Sequence, residues 1–286
     1  LERHHEMHLA AETRRLLLEI SPATADRLLK RARQGVRPKG LSTTKPGTLL
    51  KDAIPVRTFA EWDDAEPGFV EVDLVAHCGD STRGEYLNSL NMVDVRTRWT
   101  ECVGLLNRSQ ATVSAAIALS QQRLPFPLRG LDSDNGPEFI NHNLRRYCEQ
   151  ERITFTRCRP YKKNDQAYVE QKNWTVVRQT VGYDRFEGAE ACARLNALYE
   201  TLHLYVNFFQ PVMVLVHKER QGARVKKRYD QAKTPYQRVL DSPQVSEEIK
   251  QRLRQLYLTL NPAALLRQIE AQQDVLWKLA WKPPAG

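Results

Sequence analysis

The chain has no apolar run approaching 18 residues, so no segment reads as a membrane-spanning helix. It opens with no signal-peptide pattern. It contains no CxxC pair. Its five cysteines (Cys78, Cys102, Cys148, Cys158 and Cys192) are scattered and odd in number, which argues against a disulfide framework and reads as reduced, mostly buried thiols of a cytosolic protein. His4, His5 and His8 cluster near the start, but no paired cysteines follow them, and HHEMH is not HExxH; zinc is not expected there. No internal repeat is evident. The first residue is Leu1 rather than Met, and the chain is read as a fragment with natural sequence upstream.

What is present supports a folded protein with an anionic partner. At 286 residues, 41% of them hydrophobic, the chain can form one large domain and one or two small ones. Its formal charge of +9 and pI of about 9.4 suit a polyanion. Charge alone also fits an ordinary, mildly basic protein, so the motifs have to decide.

Residues 8–19 read as a helix. Ser21 as N-cap and Pro22 at the first helical position then open a second one to about Arg33. This pair fits the end of a helix-turn-helix and a plain αα-hairpin equally well. From Gln34 to about Gly68, prolines at 37, 46, 55 and 67 among Gly, Ser, Thr and Lys mark an extended linker. Three strands are expected next, at Phe69–His77, Tyr86–Val95 and Arg98–Leu106, the last two joined at Arg96-Thr97. A helix from Ser109 to Gln122 follows, then a strand from Leu128 to Ser133. Pro137 is expected to open a helix carrying Phe139, Ile140, Leu144, Tyr147 and Cys148. A strand at Ile153–Thr156, a helix over 163–180, and a long helix with Leu195, Leu198, Leu202, Tyr205 and Phe209 on one stripe complete the series. This order predicts an α/β fold, a mixed five-stranded sheet flanked by helices. Between His217 and Arg238 eight Lys and Arg face only Glu219 and Asp230. Residues 244–280 read as helical, broken at Pro262. The expected division is 1–35, 36–66, 67–210 and a basic, helical 211–286.

Three carboxylates stand out. Asp73 lies mid-strand, where alternation puts Glu71, Asp73 and Val75 on one side. Asp134 follows an apolar strand and precedes Asn135-Gly136, a turn-forming pair. Glu170 shares a helix stripe with Lys163, Gln166, Asn173 and Val177. Singly, each has an ordinary explanation: an exposed strand acid, a plain turn, a helical ion pair. Jointly, three oxygen donors from three elements fit the needs of a hard cation such as Mg²⁺ and of phosphodiester chemistry. Asp132 competes with Asp134, and the Asp-Asn-Gly context favours Asp134. Asp94 reads as capping its turn.

The runs EVDLVAH, LDSDNGPEFIN and YKKNDQAYVEQKNW, with 35 residues between the second and third acids, resemble the catalytic core of the DDE transposase and retroviral integrase superfamily. The resemblance covers roughly residues 66 to 210. It implies an RNase H-like fold, Asp73, Asp134 and Glu170 as catalytic and metal-binding residues, two Mg²⁺ or Mn²⁺ ions per site, and strand transfer without a covalent protein–DNA intermediate. The flanking segments look most like a bacterial insertion-sequence transposase. DNA (element ends and target) is then the partner, with a homodimer or higher oligomer assembled on it, in the cytoplasm at the nucleoid and with no membrane involved. Lys162, Lys163, Lys172 and Arg178 beside the site, and Lys226, Lys227 and Arg228 beyond it, are candidate DNA contacts. The competing readings are a nuclease that cuts without joining and a DNA-binding regulator that has lost the chemistry.

Overall fold

The computed structural model describes residues 1–29, 54, 66–158, 166–221 and 224–281. Apart from Ile54 and Glu66, the expected linker lies outside the described residues, as do Lys162, Lys163 and the expected end of the second helix.

The alternating apolar residues of the middle of the chain form five strands: β1 (Phe69–Ala76), β2 (Asn88–Asp94), β3 (Thr100–Leu105), β4 (Gly130–Ser133) and β5 (Thr154–Arg157). They make one sheet in the order β3-β2-β1-β4-β5. The first three are antiparallel neighbours, and β4 and β5 add in parallel to β1. Parallel neighbours need crossovers, and helices supply them. α3 (Gln110–Arg123) joins β3 to β4, and α4 (His142–Gln150) joins β4 to β5. This mixed five-stranded sheet with flanking helices is the RNase H-like α/β architecture. Asp94 caps its turn as expected, accepting Thr97 N–H and Oγ1–H, both at 2.6 Å.

Helix boundaries follow local capping. Ser109 accepts Thr112 N–H at 3.3 Å and starts α3. The helix expected from Pro137 starts later, at His142. Asn141 accepts Leu144 N–H at 2.9 Å while its own amide donates to Glu138 O at 2.7 Å, and this cap fixes the start. Phe139 and Ile140 are buried from the preceding turn instead. The long helix expected over 163–180 is composite: α5 (Ala167–Lys172), a π-helical segment (Asn173–Arg178) and α6 (Gln179–Val181), ended by Gly182 at φ +89°. α7 (Gly188–Phe209) buries Leu195, Leu198, Tyr199, Leu202 and Val206.

Val70, Val72, Leu90, Met92 and Leu131 face one core with α3 and α4. Val75, Leu87 and Cys102 face a second core with α7. Beyond α7 the basic stretch, given no strands from its sequence, forms a hairpin of β6 (Leu215–Gln221) and β7 (Arg224–Tyr229). α8 (Pro235–Asp241), α9 (Glu247–Thr259) and α10 (Pro262–Lys278) follow. They join both cores: Tyr236, Val239 and Leu253 enter the first, Ile269 and Leu276 the second. At the start, α1 (Ala11–Glu19) and α2 (Pro22–Leu29) leave Leu16, Leu17, Leu18 and Leu28 exposed, while Glu6 bonds Asn261 and Arg267.

Two side-chain arrangements stabilise the rim of the sheet. Asn207 exchanges two hydrogen bonds with the Thr100 backbone, both 2.9 Å, and Asn196 does the same with Gly104 at 2.9 and 3.0 Å. These amides cover the outer edge of β3. Arg185 organises the β1–β2 loop. Its Nη1 donates to the Cys78 and Ser81 carbonyls, its Nη2 to those of Arg83 and Glu85, and its Nε to Glu187. All five guanidinium N–H donors are used.

Candidate active site

Strand alternation puts Glu71, Asp73 and Val75 on one face of β1. Asp73 stands opposite Asn91 of β2, which stands opposite Cys102 of β3. Above them lies Asn173, the first residue of the π-helical segment. Its Nδ2 donates to Asp73 Oδ2 at 2.7 Å, and its Oδ1 accepts Asn91 Nδ2 at 2.8 Å. Asp73 Oδ1 accepts the Leu74 N–H at 2.8 Å. Both oxygens are therefore oriented by donors on fixed elements.

Asp134 lies one residue past Ser133, the last β4 residue, which pairs with Val72. The parallel register thus delivers it beside Asp73. Its Oδ1 accepts the Gly136 N–H at 2.9 Å. A Cβ on Gly136 would sit 2.9 Å from that oxygen and 2.8 Å from the Glu138 carboxyl carbon, so a side chain here would push both carboxylates aside. Asp132 is turned to other work: its Oδ1 accepts Thr156 Oγ1–H at 2.6 Å inside the sheet.

The electrostatics record the crowding. Asp73 is held well above the ordinary carboxylate range, first by burial and then by the charge of Asp134, with a smaller push from Glu170. Asp134 is raised too, chiefly by burial, and Glu138 adds to it. Glu170 stands exposed on α5. Among the described residues, no three His, Cys, Asp or Glu side chains gather closely enough to hold a metal ion as they stand. The structure brings Asp73 and Asp134 together and leaves Glu170 at the rim.

Glu71 explains how α5 is docked. It is 2% exposed, and its Oε2 accepts the Tyr168 and Val169 N–H groups at 2.9 and 2.8 Å. These are first-turn amides, which a helix leaves without internal partners. Burial pushes the Glu71 carboxyl up to about 8. One strand thus carries Asp73 and also anchors the helix that presents Glu170.

The candidate DNA contacts divide. Lys162 and Lys163 lie outside the described residues. Lys172 is not on the surface: it is 4% exposed, and burial lowers its ammonium to about 8. Val169, Lys172 and Val176 share one helical stripe, and that stripe faces inward. Arg178 is half-buried and bonds the Ala76 carbonyl at 2.9 Å and that of Gly182 at 3.3 Å. Lys226, Lys227 and Arg228 are exposed on β7. Sequence reasoning singled out neither Asn91 nor the cap role of Glu71. It saw Asn173 only as a polar neighbour of Glu170.

The carboxylates fit a hard divalent cation. Two anionic oxygen donors from adjacent strands, kept side by side against their own repulsion, are the donor set such ions prefer.

Residues 63–163 match the family profile described as Integrase core domain. An uncharacterized protein of Sinorhizobium fredii (strain NBRC 101917 / NGR234), y4rM, is 45% identical over 229 residues, which is 80% of this chain. The chain spans 65% of that relative's length. Among solved structures, the catalytic core domain of BIV integrase is 19% identical, covering 61% of this chain and 95% of that one, with a TM-score of 0.39. A simian T-cell lymphotropic virus intasome chain, in a complex with PP2A regulatory subunit B56 gamma, is 14% identical, covering 81% and 70%, with a TM-score of 0.45. Over residues 63–163 the chain is thus similar to the family described as Integrase core domain.

Proposed function

We propose that the protein is a DNA transposase of the bacterial insertion-sequence type, which cleaves a strand at the element's end and joins the freed 3′-OH to target DNA. The observation that carries this reading is the pairing of Asp73 with Asp134 across β1 and β4. The parallel register creates it, and the raised carboxyls mark it. Residues 67–210 would be the catalytic core, 1–35 a helical segment, 36–66 a linker, and 211–286 a basic, helical region. DNA is the partner, at the nucleoid, and copies of the chain assemble on it as a dimer or larger. No helix among the described residues is long and apolar enough to cross a membrane.

Asp73, Asp134 and Glu170 would hold two Mg²⁺ or Mn²⁺ ions. When bound, such a pair supplies charge stabilisation to the attacking and leaving oxygens of an in-line displacement. The chain's own residues do the rest. Asn173 and Asn91 fix the Asp73 rotamer, so this acid needs little reorganisation when charge develops. The Gly136 turn holds Asp134 in place. Glu71 ties α5, and with it Glu170, to the strand bearing Asp73. Lys162 and Lys163, which precede that helix in the sequence, are proposed as contacts to the DNA backbone.

Strand transfer with pre-cleaved element ends tests the reading. Wild-type chain should join these ends to target DNA in Mg²⁺. Asp134→Asn should lower joining by roughly 10³-fold or more, the scale on which one preorganised electrostatic group acts, while DNA binding persists. Hydrolysis without joining would identify a nuclease. Binding with neither reaction would identify a regulator.

A further inference from the structure

The β6–β7 hairpin differs from every other strand pair among the described residues. Each described side chain from Leu215 to Arg220 and from Val225 to Tyr229 is exposed. Two strands with no packed face are marginal in water. The register makes matters worse: Lys218 lies directly opposite Lys227, and the favourable pairing of Glu219 with Lys226 offsets this only in part. Like charges facing each other across a ladder are destabilising. Residues 215–229 hold six Lys and Arg against one Glu.

The root of the hairpin is built quite differently. Asp230 accepts Arg238 Nη1 at 2.7 Å and Nη2 at 3.2 Å, and also the Val214 N–H at 2.6 Å. Arg238 Nη2 donates further to the Val212 carbonyl at 2.8 Å, and Val212 bridges to Lys233. A fixed base on α8 therefore holds out a ribbon whose charges repel one another. Something outside the ribbon has to offset that repulsion.

Charge placement narrows the choice. Residues directly opposed in a ladder share a face, so Lys218, Arg220 and Lys227 lie on one face, and Lys226 and Arg228 on the other. A flat anionic surface can neutralise one face only. A groove of duplex DNA has phosphates along both walls. The major groove, about 12 Å wide, admits a two-stranded ribbon. Seven residues at roughly 3.3 Å per residue reach along about seven base pairs.

We propose that the β6–β7 ribbon enters the major groove of duplex DNA and carries phosphate contacts on both of its faces. The proposal rests on the DNA-transposase reading and adds a groove and a contact element to it.

The test uses the full chain without divalent metal and a labelled 30-base-pair duplex, titrated at several salt concentrations. Lys226→Gln, Lys227→Gln and Arg228→Gln combined should make the log K against log salt slope shallower by about 2.7, which is 0.9 for each phosphate no longer neutralised. Lys226→Arg with Lys227→Arg should keep the slope. Methylation of guanine N7, which lies in the major groove, should weaken binding of the wild-type chain and not of the triple variant. An unchanged slope in a triple variant that still joins DNA ends overturns the ribbon proposal alone. A variant altered in oligomeric state but not in slope also overturns it, pointing to an interface between copies. A slope reduced equally on single strands, without N7 interference, overturns the groove. A wild-type chain with no salt-dependent duplex binding overturns the DNA reading itself.

Discussion

At the scale of single residues, the site is defined by acids that resist losing their protons. Asp73 has an ordinary value of 3.8 and is raised to about 7 in the fold. Its folded pKa exceeds its unfolded one, so its contribution to stability is fully present below about 3.8 and is lost as pH rises through about 7. A divalent cation competes with that proton and reverses the loss. Thermal melting should therefore show a small Mg²⁺-induced rise in Tm at pH 5.5 and a larger one at pH 8. Asp73→Asn should abolish the difference, and an equal rise at both pH values would count against a metal at this pair. Asp73 and Asp134 stood out in the sequence only jointly, because each has an ordinary structural use alone while their order, spacing and strand settings single out the pair as candidates. Asn91 was not legible. Its position opposite Asp73 depends on the β1–β2 register, and the eleven residues between Ala76 and Asn88 leave that register uncountable from sequence. Lys172 was misread because it neighbours Glu170, although its spacing from Val169 and Val176 placed it on the inward stripe.

At the scale of elements, caps and anchors decide what moves. α3, α4 and α8 each begin at a side chain that accepts a first-turn amide. Ser109 was read only as the start of its helix. Asn141 was missed because Pro137 offered an earlier and more conventional start. The β6–β7 hairpin was invisible for a different reason. Its residues are cationic on both faces, so the apolar–polar alternation that betrays a strand is missing. The β1–β2 loop depends on one residue. Arg185→Lys retains the charge but not the five-donor fork, and hydrogen bonds to charged groups contribute about 1.5–3 kcal/mol each. Loss of two or more of them should cost roughly 3 kcal/mol or more. The variant should show a lower Tm and faster proteolysis within residues 78–86. A Tm and a cleavage pattern like those of the wild-type chain would show that the loop holds its shape without the guanidinium.

At the scale of the whole molecule, the five-stranded architecture was readable because the order of strands and helices leaves few ways to lay them in one sheet. The packing of α8–α10 into both cores was not readable, since amphipathic spacing gives a face without naming its partner. The asparagines on β3 bear on how copies of this chain meet. By imitating a neighbouring strand at Thr100 and Gly104, Asn196 and Asn207 take the place that a further strand would need. Edge strands invite such additions, and proteins that avoid them stay separate. Asn196→Ala with Asn207→Ala should leave four backbone groups without these partners, lower the Tm, and turn a dispersed protein into one that forms dye-binding β-aggregates on warming. Light scattering like that of the wild-type chain would refute this. The two amides make the sheet finite on this side. Copies of the chain that meet on DNA across this side must then do so without extending the sheet through β3, and they can part there without unzipping shared strands.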